Sequence, residues 1–584
     1  MDFIELKKNL KKDFSGLKKV KIALLGDSAT QHLTQAIRGW GYTLGFDLKI
    51  FDADYDQIDR QIMYSASEMY QSQPEYIIIF QSVQKLRKRF YKTEAGQRAL
   101  FAQYEVTRIT GFLAELSKNI HGVKIIVANF MELNDSVFGQ YSNKTDMSVL
   151  YQIRHLNCAL MTLAANTKNL FICDVAALTA VIGHVAAIDN RNYINADMAF
   201  SLDFLPELAK GIVDNILAVS GAAKKCLVLD LDNTIWGGII GDDGVENIQI
   251  GDLSQGKAFS EIQCWAKELQ RRGVLLAICS KNNEDIAKIP FLKHPDMVLG
   301  LDDIAIFMAN WDSKVDNLIK IKSFLNIGYD SMVFIDDNPY ERGVVKSYLP
   351  EITVPDLPED PADYLPFLCG LNLFETSSYT QDDEQRTAHF QQELKREITQ
   401  ASFTDEREFL KSLGMTCEIN SFSSFNLPRA AQLLQRSNQF NLRTIRYTEE
   451  DLQRISTADD YISLTFNIKD QFGGYGIISV VIGLLVGEEF FIDTWVMSCR
   501  VLKRGVENFA LNEIVQGAKR MGAERIRGEY ISTPKNELVK NHYLNLGFTE
   551  NGSGEWILDI SSYNEREHFI ELIKDLGDMN VRST

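Results

Sequence analysis

The sequence predicts a multidomain α/β protein, and three observations lead there. The chain has 584 residues, several times the usual domain length, so two to four domains can each bury a core. Short apolar runs alternate with helix-like segments through roughly the first two thirds, the pattern of parallel sheets. The last third changes to strand signals followed by helices, the pattern of an α+β domain. Hydrophobic content of 45% and charged content of 24% are ordinary globular values, with no low-complexity tract.

Charge and composition exclude several function classes. The formal net charge of −18 repels phosphate backbones and anionic lipid, so neither nucleic acid nor membrane is an expected partner. Lys7, Lys8, Lys11 and Lys12, and Lys85, Arg87, Lys88 and Arg89, read as solvated helix faces. The N-terminus carries no apolar leader, and no run reaches the roughly 20 residues that span a bilayer, so a cytoplasmic location is expected. Eight cysteines, from Cys158 to Cys499, show neither CxxC nor Cys/His spacing, which disfavours a zinc site and a disulfide framework.

Residues 1–220 form the first expected domain, with strand-like runs at 20–26, 76–80, 123–128 and 169–175 and helical segments such as 99–116 and 150–165. Ile22-Ala-Leu-Leu-Gly-Asp-Ser28 delivers a serine after a strand, and Ile125-Ile-Val-Ala128 delivers Asn129. These blocks resemble the SGNH hydrolases, which implies a flavodoxin-like domain with Ser28 at the nucleophile position and Asn129 as an oxyanion donor. The late Asp-x-x-His of that family is missing: Asp189-Asn-Arg-Asn192 has no histidine, and His184 lies off position. Asp27 and Ser28 also suit a helix cap. A degenerate domain used for docking or assembly is expected, with Ser28 and Asn129 as remnants.

Residues 221–370 form the second, with strands at 226–229, 274–279 and 332–335. The first strand runs into Asp230, Asp232 and Thr234, the second into Ser280, Lys281 and Asn282, and the third into Asp336 and Asp337. Lys314 lies between them behind Trp311-Asp312-Ser313, at a helix start. One aspartate pair alone could merely end a strand; four elements in order point to phosphoryl chemistry, because hydroxyl and ammonium donors at strand ends stabilise a transferring phosphoryl group. The motifs resemble the haloacid dehalogenase (HAD) superfamily. That resemblance implies a Rossmann-like domain in which Asp230 attacks phosphorus and Asp232 serves as acid and base. It also implies Mg²⁺ held by Asp230, the Asp232 carbonyl and Asp336 or Asp337. Thr234, Ser280, Lys281, Asn282 and Lys314 would surround the phosphate.

A closer resemblance rests on Leu229-Asp-Leu-Asp-Asn-Thr-Ile-Trp-Gly-Gly-Ile-Ile-Gly-Asp-Asp-Gly244, Ile278-Cys-Ser-Lys-Asn282, Asn310-Trp-Asp-Ser-Lys314 and Phe334-Ile-Asp-Asp-Asn-Pro-Tyr-Glu-Arg342. It continues in Arg436-Ser-Asn-Gln-Phe-Asn441 and Ser498-Cys-Arg-Val-Leu-Lys-Arg-Gly-Val-Glu507. Together these resemble the FkbH-like (HAD-IIIC) proteins. The resemblance implies synthesis of glyceryl-acyl carrier protein from 1,3-bisphosphoglycerate, a phosphorylated three-carbon metabolite. An enzyme thioester would form, the remaining phosphate would leave at Asp230, and the glyceryl group would pass to a carrier's phosphopantetheine. Cys279 is the favoured thioester position, because its neighbour Ser280 should touch substrate, although strand alternation counts against it; Cys499, beside Arg500, is the alternative. The competing readings are a phosphatase of a free metabolite with a separate acyl-CoA-dependent acyltransferase, and a non-catalytic assembly protein.

Residues 371–413, including polar Gln381 to Phe390, are expected as a helical connector, 414–570 as an α+β domain and 571–584 as a tail. Strands are expected near 415–419, 461–467, 475–483 and 488–495, and helices near 504–521 and 535–546. Asn541-His-Tyr-Leu-Asn-Leu-Gly-Phe548 resembles the late helix-to-strand segment of GNAT acyltransferases, whose Arg/Gln-x-x-Gly-x-Gly/Ala loop binds acyl-CoA at a helix start. Here Arg500-Val-Leu-Lys-Arg-Gly505 has Lys503 where the first glycine belongs, so a carrier's pantetheine arm is the alternative ligand. The resemblance assigns acyl or pantetheine binding to Arg500, Lys503, Arg504, Gly505, Asn541 and Tyr543. His542 reads as an exposed helix residue and Tyr543 as a packing residue with a polar tip.

Overall fold

The computed structural model describes residues 1–379, 386–400, 403, 405–437, 439–458, 460–498, 501–502, 504–533, 535–552 and 554–574. The chain divides into two compact units, Met1–Ser220 with Glu375–Ser377, and Gly221–Phe374 with Ser378–Thr584.

The first unit is built on one sheet of strands β1 (Lys18–Gly26), β2 (Phe46–Asp52), β3 (Tyr76–Phe80), β4 (Lys124–Ala128) and β5 (Leu170–Cys173). Its order is β2-β1-β3-β4-β5, all parallel, the flavodoxin-like arrangement. Buried on both faces, β3 and β4 read as continuous apolar runs. Strand β2 lies at the edge and mixes Asp47 and Lys49 into Phe-Asp-Leu-Lys-Ile-Phe-Asp, which hid it from the sequence reading. Helices Phe101–Asn119 and Val149–Ala165 pack against the sheet through residues such as Ile109, Phe112, Ile153 and Leu156.

In the second unit a four-stranded sheet is made by β6 (Cys226–Leu229), β7 (Leu275–Ser280), β8 (Ile304–Ala309) and β9 (Met332–Ile335), in the order β8-β7-β6-β9. All its pairings are parallel. The order reverses at β6, so the chain leaves opposite sides of a crevice between the C-terminal ends of β6 and β9, the point where open α/β sheets bind ligands. Side chains alternate between two cores: Leu276 and Ile278 face one, Ala277 and Cys279 the other.

The third sheet contains β10 (Met415–Asn420), β11 (Tyr461–Asp470), β12 (Gly473–Val486), β13 (Glu489–Met497), β14 (Arg525–Glu529), β15 (Thr549–Glu550), β16 (Glu555–Asp559) and β17 (Ile570–Lys574). Strands β10 to β13 form an antiparallel meander, after which β13 and β14 pair in parallel over only Glu489–Phe491 and Arg525–Arg527. Beyond that they diverge. The segment around Asn441 lies between them: Asn441 bridges Val496, the Phe440 carbonyl accepts from Met497 N–H at 3.2 Å, and the Leu442 carbonyl accepts from Ile531 N–H at 2.8 Å.

One expectation changes here. Residues 571–574 are not tail: they continue β17, which pairs with β10. The segment expected as a helical connector carries the helix Arg386–Gln400, which ties the two sheets of this unit together. Its Gln391 donates to the Ile304 carbonyl at 3.0 Å. Its buried Arg396 forks onto Asp470 at 2.7 and 2.8 Å. Residues 381–385 of the polar stretch lie outside the described residues.

Candidate functional site

The site forms where β6, β9 and the loop after β8 end. Asp230 follows β6, Asp336 and Asp337 follow β9, and Ser313 caps the helix Lys314–Leu325 so that Lys314 is its first residue. The Lys314 ammonium bridges Asp230 at 3.0 Å and Asp336 at 2.5 Å, with Lys314 4%, Asp230 6% and Asp336 0% exposed. Charged groups buried this deeply are held by pairing. Burial works against the Lys314 charge, yet the flanking Asp230 and Asp336 carboxylates hold its pKa above the usual lysine value. Burial and then the Asp230 charge push Asp336 up to about 6, and the same causes raise Asp337.

Carboxylate oxygens of Asp230, Asp336 and Asp337 lie within 4.8 Å of one another. Asp230 Oδ1 is buried without a hydrogen-bond partner. Three carboxylates against one ammonium leave two negative charges, and an orphaned oxygen asks for a cation. The donor set is all oxygen, which fits Mg²⁺.

Asp232 takes a different position from the metal carboxylates. Its Oδ1 accepts from Trp236 Nε1 at 2.9 Å and Ile240 N–H at 3.0 Å, and its Oδ2 from Asn282 Nδ2 at 3.1 Å. Burial raises its pKa, which favours the protonated form that a general acid requires. Ser280 ends β7 with only 2% exposure. The remaining phosphate residues of the sequence reading are occupied differently. Thr234 is fully buried and its hydroxyl accepts from Asp337 N–H at 3.1 Å, fixing the β9 loop. Asn282 holds Asp232. Lys281 pairs with Glu341 at 2.6 Å.

Sequence reasoning assigned no roles to Trp236, Glu341 or Arg342. Arg342 donates to the carbonyls of Asp336 and Asp337 at 2.8 and 2.6 Å, pinning the loop that presents both carboxylates. Its place five and six residues after them, on the helix Pro339–Tyr348, was the available signal.

Cys279 is a correction. It is fully buried in the core beside Val228, Ala277 and Leu318, its thiol reaches the Lys314 carbonyl at 3.8 Å, and burial pushes its pKa far up. A thiol that neither ionises nor meets solvent carries no acyl group. Cys499, Arg500 and Lys503 lie outside the described residues. Gly505, with φ of 77°, caps the helix Val506–Arg520, while Arg504 is drawn inward to the Tyr475 hydroxyl.

Asn541 is exposed. Tyr543 is 1% exposed, packed against Phe548 and Trp556. His542 is buried, not exposed: its ring lies edge-on to Phe440 and Trp495 at 4.8 and 4.7 Å. Burial holds its pKa down at about 3.

In the first unit Asn129 is no free oxyanion donor: its Nδ2 donates to Asp174 at 2.7 Å and its Oδ1 accepts from Ala176 N–H at 3.0 Å. Ser28 is 2% exposed and its hydroxyl has no hydrogen-bond partner, so no base is bonded to it. Asp189 caps the helix Asn190–Ala196, and His184 is exposed. Of the basic groups, Arg89 pairs with Glu105 at 2.9 Å and Lys85 with Asp197 at 3.6 Å.

Fold and site together define a HAD-type domain, with an aspartate pair after the first strand, a buried lysine, and a second aspartate pair converging at the switch point of a parallel sheet. The FkbH N-terminal domain profile matches residues 21–217. The chain is 46% identical to the N-terminal part of a Bacteroides fragilis protein, crystallised with Mg and described as containing a phosphatase domain. That match covers 65% of this chain and 100% of that one with a TM-score of 0.62. The chain belongs to the FkbH family. Similarity extends to a ribosomal-protein-S18-alanine N-acetyltransferase from Escherichia coli, at 17% identity over 26% of this chain and 100% of that one, TM-score 0.20. It also extends to the GNAT domain of S. lividans PAT, at 17% identity over 24% and 89%, TM-score 0.20. No curated protein matches the chain. Among the described residues, no helix is long and apolar enough to cross a membrane.

Proposed function

We propose that the protein is a Mg²⁺-dependent phosphatase whose product is a glyceryl group delivered to an acyl carrier protein, with 1,3-bisphosphoglycerate as donor. The observation that carries the phosphatase reading is the buried Lys314 bridge between Asp230 and Asp336, with Asp337 beside them. The crystallised relative, 46% identical and complexed with Mg, supports it.

Asp230, Asp336 and Asp337 would hold the metal, which when bound neutralises the carboxylates and the phosphoryl oxygens. Asp230 attacks phosphorus and the leaving oxygen takes a proton from Asp232; Asp232 then takes a proton from the water that releases phosphate. Lys314 and Ser280 meet the charge on the transferring group. The acyl phosphate end is already activated, so a thiolate displaces phosphate there without ATP. With Cys279 sealed in the core, Cys499 is the thioester position in this reading, and the domain around β10–β17 transfers the acyl group to the carrier's phosphopantetheine.

Intact-protein mass spectrometry tests this, using the full chain with Mg²⁺, 1,3-bisphosphoglycerate and pantetheinylated carrier protein. A glyceryl adduct on the enzyme, then on the carrier, is expected. Phosphate release without either adduct would leave a free-metabolite phosphatase.

A further inference from the structure

We propose that Trp236 is the positioning residue that fixes the Asp232 carboxyl for proton donation, making the site selective for phosphate monoesters of alcohols over phosphates whose leaving group needs no proton. This rests on the phosphatase reading above.

The Asp232 carboxyl is held by donors from two separate elements. Trp236 Nε1 and Ile240 N–H both donate to Oδ1, at 2.9 and 3.0 Å, and Asn282 Nδ2 reaches Oδ2 at 3.1 Å. An oxygen that accepts two N–H bonds has its lone pairs taken, so a proton on this carboxyl resides on Oδ2. Trp236, together with the Ile240 N–H, therefore sets which oxygen is the acid, and in which direction the O–H points.

The loop that carries it is built to hold that geometry. Trp236 is fully buried, its ring edge-on to Phe291 at 6.0 Å. Asn233 adopts φ of 56°, and its side-chain oxygen accepts from Gly238 N–H at 2.9 Å, closing the turn. Buried Gln263 clamps the Ile235 carbonyl at 2.7 Å. An indole is a donor only, so at this position it can hold a carboxyl oxygen as acceptor and cannot compete for its proton.

The step balances at named atoms. An Asp230 oxygen bonds to phosphorus, the P–O bond to the leaving oxygen breaks, and that oxygen takes its electron pair and the Oδ2 proton of Asp232, leaving as an alcohol. A nitrophenolate or a carboxylate leaves without the proton. A well-oriented acid thus matters to the first class and hardly to the second.

The test compares kcat/KM for glycerol 3-phosphate and 4-nitrophenyl phosphate, using the full chain with Mg²⁺. Trp236→Phe keeps the ring and removes the donor. It is expected to lower the alkyl ester by at least about 10-fold, part of the ~10²–10⁴ a general acid contributes, and the nitrophenyl ester by no more than roughly 2-fold. In an Asp232→Asn background, Trp236→Phe should change the ratio no further. Should Trp236→Phe not fold, Asn282→Ala, which removes the Oδ2 donor while leaving the Trp236 packing in place, must show the same selective loss. Equal losses on both substrates, or loss on neither, overturn the proposal. A wild-type protein inert toward both removes the phosphatase reading itself.

Discussion

Replacing Lys314 with methionine keeps an unbranched side chain one atom shorter and deletes the ammonium that bridges Asp230 and Asp336. At an effective dielectric of about 20, the attractions at 3.0 and 2.5 Å come to about 5.5 and 6.6 kcal/mol, while two carboxylates within 4.8 Å of each other repel by at least about 3.5 kcal/mol. Desolvation of the ammonium offsets much of the gross attraction, so the net cost of breaking the buried pair is about 3–5 kcal/mol. Between pH 5 and 8 Lys314 is charged throughout, because its folded pKa is raised and its stabilisation fades only at alkaline pH. The pH dependence comes from Asp336. Its folded pKa of about 6 exceeds the unfolded value near 3.9, so its contribution is present at low pH and is lost as pH rises through 6.

Without Lys314 that window moves upward, and the destabilisation of Lys314→Met is larger at pH 7.5 than at pH 5.5. Urea titrations in EDTA at both pH values measure this. Removing the competing cation should also tighten Mg²⁺ binding while phosphatase activity falls by roughly 10²–10³. Weaker Mg²⁺ binding in the variant, or unchanged stability at pH 7.5, would refute the reasoning.

Asp230→Asn preserves shape and removes the nucleophile, so phosphate release should stop while the urea midpoint at pH 5.5 stays near wild type; full activity would sink the assignment. Cys279→Ala should leave acyl loading intact and cost about 1 kcal/mol of packing, while Cys499→Ala should block loading, as mass spectrometry reads directly. His542, buried with a folded pKa of about 3 against an unfolded value near 6.5, favours the unfolded state as it gains a proton. Stability is complete above pH 6.5 and declines by about 2 kcal/mol by pH 5. His542→Phe should flatten that slope in the domain that contains it, and an unchanged slope would show that another group titrates.

What the sequence made legible follows how many residues share a signal. Continuous apolar runs marked β3, β4, β6 and β9, because strands buried on both faces carry no alternation to confuse them. Strands β2, β8, β14, β15, β16 and β17 were missed: β2 mixes charges into its pattern, β14, β16 and β17 mix charged with apolar residues over five positions, and β15 has two residues, whereas β8, Ile304-Ala-Ile-Phe-Met-Ala309, carried the same continuous apolar signal and was passed over. Asp230, Lys314, Asp336 and Asp337 were legible because residue type and strand-end placement suffice to assign them. Trp236 and Arg342 were not, since their roles depend on which atom they reach. Cys279 shows the converse error: proximity along the chain to Ser280 suggested a reactive thiol, and strand alternation sent its side chain into the opposite core. His542 fails for a related reason, since a four-residue helix has too few positions for periodicity to say which face is buried.

Charge explains why the site combines a lysine with three carboxylates instead of balancing them one for one. Three carboxylates and one ammonium leave a net of two negative charges; burial first, and then the Asp230 charge, raise Asp336 and Asp337 above their ordinary values. A phosphate dianion approaching such a cluster would be repelled, whereas a divalent cation held by Asp230, Asp336 and Asp337 would bring the sum to zero. Two further lysines would neutralise the same charge, but a lysine offers no open coordination positions to the phosphoryl oxygens. The single buried Lys314 is thus set to hold Asp230 and Asp336 in register, while the uncompensated charge remains for the metal.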